Sequence, residues 1–116
     1  MKVDVNKGFE LGPFHYEVLS DKKTDAELRS RQRYGETSFT EHKVCISNDF
    51  SAEQYHDTFL HECIEAIGVM FCDDKIKHEY IKNISHGLAQ ILRSLDIQFA
   101  HSRRGMPKKS PEAITK

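Results

Sequence analysis

The sequence predicts an α+β domain: a small antiparallel sheet of about three strands packed on one long helix and a second helix, with a disordered C-terminal tail. Three observations carry this expectation. Before residue 50 the apolar residues come in short runs broken by Gly, Pro, Asn and Asp, as strands do. After it they recur at helical spacing as far as Leu95. From residue 101 that periodicity stops, and Pro107 and Pro111 sit within a basic cluster.

The elements follow in order. Residues 14–19 read as a strand after the turn signal Gly12-Pro13. Residues 25–33 are polar and charged and read as a short helix. Thr37-Ser38-Phe39 and residues 42–46 bracket Thr40-Glu41 and read as a hairpin on the sheet edge. Ser51-Ala52-Glu53-Gln54 is a capping box, in which the Ser51 hydroxyl and the Gln54 side chain each satisfy an amide at the start of a helix. That helix runs on to Cys72. Asp73-Asp74 break it and are expected to cap a second helix over about 75–95, with Ile81, Ile84, Leu88, Ile91 and Leu95 as its core face.

The length of 116 residues fits one domain, taken as 1–100, followed by the tail 101–116. The longest apolar stretch, 66–72, is far short of the roughly 20 residues a membrane span needs. Residues 1–6 hold no apolar run of signal-peptide length, so a soluble cytoplasmic protein is expected. Three cysteines without a CxxC pair exclude a disulfide framework and a Cys-only zinc site, and each reads as a small buried hydrophobe. The net charge of −1 divides into +4 on residues 101–116 and −5 on the rest. An acidic body argues against a nucleic-acid-binding domain and leaves at most a weak contact through the tail.

The first helix carries the chemistry. At about 100° per residue, Ala52, Tyr55, Phe59, Cys63, Ala66, Ile67 and Met70 form one broad apolar face for the sheet. With Phe59 at zero, His61, Glu65 and Glu62 fall at about 200°, 240° and 300°. The residues between them are strongly apolar, so the helix is expected to be buried nearly all round. Burying a His and two Glu calls for a metal or a hydrogen-bonded network. Gly68, two turns beyond His61, is expected to let another element come close.

The run His61-Glu62-Cys63-Ile64-Glu65 is HExxE, where zinc metallopeptidases carry HExxH. Two ligands one turn apart and a carboxylate beside the first are what a zinc-binding helix supplies. The third ligand is expected from the second helix, where His78 near its start is better placed than His86, which reads as exposed. Two His and one Glu are a known ligand composition for a catalytic zinc.

Residues 34–95 resemble small phage- and prophage-encoded proteins related to the ImmA/IrrE group of zinc metallopeptidases. The matching residues are Tyr34-Gly35-Glu36, then Leu60-His61-Glu62-Cys63-Ile64-Glu65-Ala66-Ile67, then Gly87-Leu88-Ala89-Gln90-Ile91-Leu92. The resemblance implies a zincin-like first helix, His61 as first metal ligand and Glu62 as general base. Glu65 stands where the second His usually stands, and His78 matches a His of the HExxE-bearing relatives. It implies a zinc-dependent metallopeptidase-like protein that hydrolyses a peptide bond through metal-activated water. The substrate would be a protein or an extended peptide lying along the strand at 42–46, with Tyr80 or His86 as oxyanion stabiliser. The alternative is a catalytically inactive scaffold that binds and inhibits a host protein.

Overall fold

The computed structural model describes residues 1–102. The chain runs β1 (Lys2–Asp4), β2 (Phe9–Leu11), β3 (Phe14–Leu19), α1 (Lys22–Ser30), β4 (Gly35–Ser38), β5 (Lys43–Ile46), α2 (Ala52–Phe71), α3 (His78–Ser94) and β6 (Gln98–Ala100). It is α+β, with three helices on a small mixed sheet among the described residues.

Two hairpins build that sheet. β2 and β3 pair antiparallel across a turn in which Gly12 takes a φ of +59°, a backbone region that favours glycine. β4 and β5 pair antiparallel as expected, from Gly35 opposite Ile46 to Ser38 opposite Lys43. The hairpins join through β3 and β5, which run parallel, giving the order β2-β3-β5-β4. A sheet of about three antiparallel strands is therefore not what forms. The segment from Leu19 to Lys43 holds α1 and β4, long enough for the crossover of about a dozen residues or more that parallel strands require. Separately, β1 and β6 form a two-stranded parallel pair.

Val44 and Ile46 of the central strand β5 are fully buried, and α2 lies across them. Tyr16, Val18, Tyr55, Phe59 and Ala66 complete the core with Val5. Phe9 stacks on Tyr16 and meets Phe59 edge-on. Ile67, expected on this face, is instead exposed. Ser51 caps α2 by accepting from the Gln54 amide at 3.1 Å. The other half of the capping box does not form, because the Gln54 side chain donates to Thr58 Oγ1 at 2.9 Å.

The second long helix departs further from expectation. Asp73 and Asp74 adopt positive φ and form a turn, so α3 starts later, at His78, and its N-cap Lys77 makes no side-chain bond. Its buried residues are Ile81, Ser85 and Ala89, while Ile84, Leu88, Ile91 and Leu95 are exposed. The helix is thus turned by about 80° from the orientation its apolar spacing suggests. Two causes are visible. Ser85 and Ala89 are small enough for α2 and α3 to approach closely, and His56 on α2 donates through Nε2 to the Ala89 carbonyl at 3.1 Å.

His101 and Ser102, expected to open the tail, are tied down. His101 is buried, with Nε2 at 3.3 Å from the Val18 carbonyl, and the Ser102 amide donates to Asp4 Oδ1 at 2.9 Å. The rest of the expected tail lies outside the described residues. No helix among those described is long and apolar enough to cross a membrane.

Candidate metal centre

The turn between α2 and α3 folds the chain back on itself, with the Cys72 and Asp74 amides both donating to the Gly68 carbonyl. It delivers His78, the first residue of α3, onto the α2 face that presents His61 and Glu65 one turn apart. His61 Nε2 lies 3.4 Å from Glu65 Oε2, and His78 Nδ1 lies 3.0 Å from the same oxygen. The two imidazoles meet edge-on with centroids 4.9 Å apart. One ligand atom from each of the three residues falls within 4.8 Å of the others.

That spacing fits a small divalent ion. Tetrahedral zinc with bonds of about 2.0–2.1 Å holds its ligand atoms about 3.3 Å apart, so closing the set needs only small side-chain shifts. Imidazole and carboxylate also suit zinc chemically. Burial pushes the His61 pKa below the usual imidazole value, against the pull of Glu65, and so favours the neutral ring that coordination needs.

Glu62, next to His61, lines the same cleft from the side of the sheet. It is 8 % exposed, and Thr37 on β4 donates to its Oε1 at 2.7 Å. Burial raises its pKa to about 7, although the Thr37 bond works in the opposite direction. β4 comes this close to α2 because residue 35 is glycine. A Cβ there would stand 2.7 Å from Thr58 Cγ2 and 3.0 Å from the Cys45 carbonyl oxygen. Gly68 was expected to fill such a role and does not, since its Cβ would find only Ile76 Cδ1 at 3.9 Å.

A cleft of about 1240 Å³ opens over these residues, lined among others by Thr37, His61, Glu62, Glu65, His78 and His86. No family model, curated protein or solved structure matches the chain. The chemistry of the cleft is therefore read from its own geometry.

His86 is exposed, as expected, yet it borders the cleft, whereas Tyr80 does not. Its Nδ1 is 3.7 Å from Asp57 Oδ2, and Arg93 donates to the other Asp57 oxygen at 2.7 Å. The expected edge strand at 42–46 is interior, because β5 has β3 on one side and β4 on the other. β4 is the edge strand that borders the cleft. Sequence reasoning missed Thr37, Gly35 and Asp57. Asp57 had a signal, since Asp57, His61 and Glu65 follow one another at i, i+4 spacing; Thr37 had none, being brought in by strand pairing. The cysteines, each expected to be buried, are all only partly buried, although burial raises the Cys45 pKa and pushes Cys63 up to about 12.

Proposed function

We propose that this chain is a zinc-dependent, metallopeptidase-like protein that hydrolyses a peptide bond in a protein or extended peptide held in the cleft. The observation that supports it is the convergence of one ligand atom each from His61, Glu65 and His78 to within 4.8 Å of one another, with Glu62 next to His61 in the chain and in the same cleft. On this reading the resemblance of residues 34–95 to the ImmA/IrrE group is one of kinship, and α2 is the zincin-like helix.

His61, Glu65 and His78 would hold the zinc, which would supply Lewis acidity toward a water molecule and a carbonyl oxygen. Glu62 is the general base: a carboxyl titrating near 7 can take a proton from the attacking water and return it to the leaving amine. Thr37 anchors Glu62 Oε1, which leaves the second oxygen for the proton. His86, steadied by Asp57, is the cleft group available to hydrogen-bond a developing oxyanion. The outer edge of β4 offers its backbone groups to an extended substrate.

The test is metal content and hydrolysis by untagged protein. Near-stoichiometric zinc in the wild type, lost in both His61→Ala and His78→Ala, is the expected result. Glu62→Gln should keep the zinc and lose hydrolysis. A wild type without zinc overturns the proposal. A biological effect that survives Glu62→Gln replaces the enzyme with a scaffold that binds and inhibits a host protein.

A further inference from the structure

The side of α3 turned away from the cleft is apolar along its whole length and is not covered by the described residues. Tyr80, Ile84, Leu88, Ile91 and Leu95 are 52, 52, 37, 56 and 64 % exposed. At roughly 200 Å² for a fully exposed large side chain, they leave on the order of 500 Å² of apolar surface in one stripe. That is as large as the largest patch on a typical monomer, and such a patch is often functional. Beside the stripe run Asn83, Gly87, Gln90 and Ser94, all exposed and all uncharged. Of the charges of α3, Lys82 faces the cleft, Arg93 is paired with Asp57, and Glu79 lies beyond the uncharged flank, about 100° round the helix from Tyr80. Depletion of charge around an apolar centre is how the core of an interface differs from ordinary surface.

We propose that this face is the interface of a symmetric dimer, in which α3 packs antiparallel against α3 of a second copy. The pattern is self-complementary. About a two-fold axis passing between Gly87 and Leu88, Tyr80 faces Leu95 of the other copy, Ile84 faces Ile91, and Leu88 faces Gly87. One surface that matches itself under rotation is the requirement for an isologous contact. Gly87 acquires a reason in this arrangement. Within a single copy a side chain there would meet open space, so no contact requires a glycine that weakens the middle of a helix. Across the axis its missing side chain receives Leu88 and lets the helices approach. The stripe alone supplies more than half of the ~800 Å² per partner of a standard interface, and the uncharged flank adds to it. The chain's own segment 103–116 is a poor alternative cover, since Met106, Ala113 and Ile114 are its only apolar residues beside Gly105 and two prolines.

Sedimentation of the full 116-residue chain over a range of concentrations tests this. The wild type should be dimeric at micromolar concentration. Ile91→Lys, at an exposed position, should weaken the dimer at least about a hundredfold while far-UV circular dichroism stays unchanged. Because residue 84 faces residue 91 of the other copy, Ile84→Glu combined with Ile91→Lys should regain the dimer. Ile84→Lys combined with Ile91→Lys should not. A wild type that stays monomeric up to millimolar concentration overturns the proposal, as does a dimer indifferent to Ile91→Lys. A monomer whose stripe binds only a different protein overturns it as well.

Discussion

His56 and His61 stand five residues apart on α2, and burial pushes both pKa values down, yet they do opposite work. His56 is fully buried, and the backbone uses both of its ring nitrogens. Nε2 donates to the Ala89 carbonyl, and Nδ1 accepts from the Phe99 amide at 2.9 Å. Phe99 also stacks on the ring. His61 faces side chains, Glu65 and His78, at the border of a cleft. A ring whose two nitrogens are held by peptide groups has no lone pair left for a ligand. One answered only by other side chains can exchange them for an ion. Burial alone does not separate a structural histidine from a chemical one; the identity of its partners does.

The largest expected effect falls on the structural member. His56→Ala leaves the Phe99 amide and the Ala89 carbonyl unpaired around a cavity, and should cost about 3 kcal/mol in urea unfolding. Zinc bound per folded chain should not change. A loss below about 1 kcal/mol would break the distinction between the two residues.

Acid sharpens it. The folded-state pKa of His56 lies below its unfolded value, chiefly through burial, so above about pH 6.5 both states are neutral and pH has no leverage there. As pH falls below that, the unfolded chain takes up the proton first, and native stability drops by up to about 1.4 kcal/mol per pH unit until the folded pKa is reached. Alanine carries no such proton. The stability gap between wild type and His56→Ala should therefore narrow from pH 7 to pH 5, as read from paired urea curves. The smallest effect belongs to His61→Ala in metal-free protein, at under about 1 kcal/mol, because the ring makes no backbone bond. With zinc present the gap should widen, since an ion that binds only the folded wild type adds to its stability.

Much of this was legible in the sequence where the signal is local. The strand after Gly12-Pro13, the β4–β5 hairpin and the start of α2 at Ser51 all form as their turn and cap residues suggest. The spacing of His61 and Glu65, with His78 at the start of the next helix, also anticipated which side chains meet. What stayed hidden depends on partners distant in sequence. The parallel pairing of β3 with β5, Thr37 beneath Glu62 and the backbone bonds of His56 have no local signature. α3 shows the limit most plainly. Periodicity identified an apolar face on that helix, but whether the domain itself covers that face depends on Ser85 and Ala89, whose small size drew α2 to the neighbouring side.

The parallel pairing of β1 with β6 has a consequence for biosynthesis. Lys2 to Asp4 align with Gln98 to Ala100, so β1 has no strand neighbour until β6 has been made. The Phe99 amide that completes His56 arrives with that same strand. Until then the His56 ring lacks one of its two backbone partners. Closing a loop of nearly the whole domain is a slow, non-local step, so this domain closes as a unit and not segment by segment.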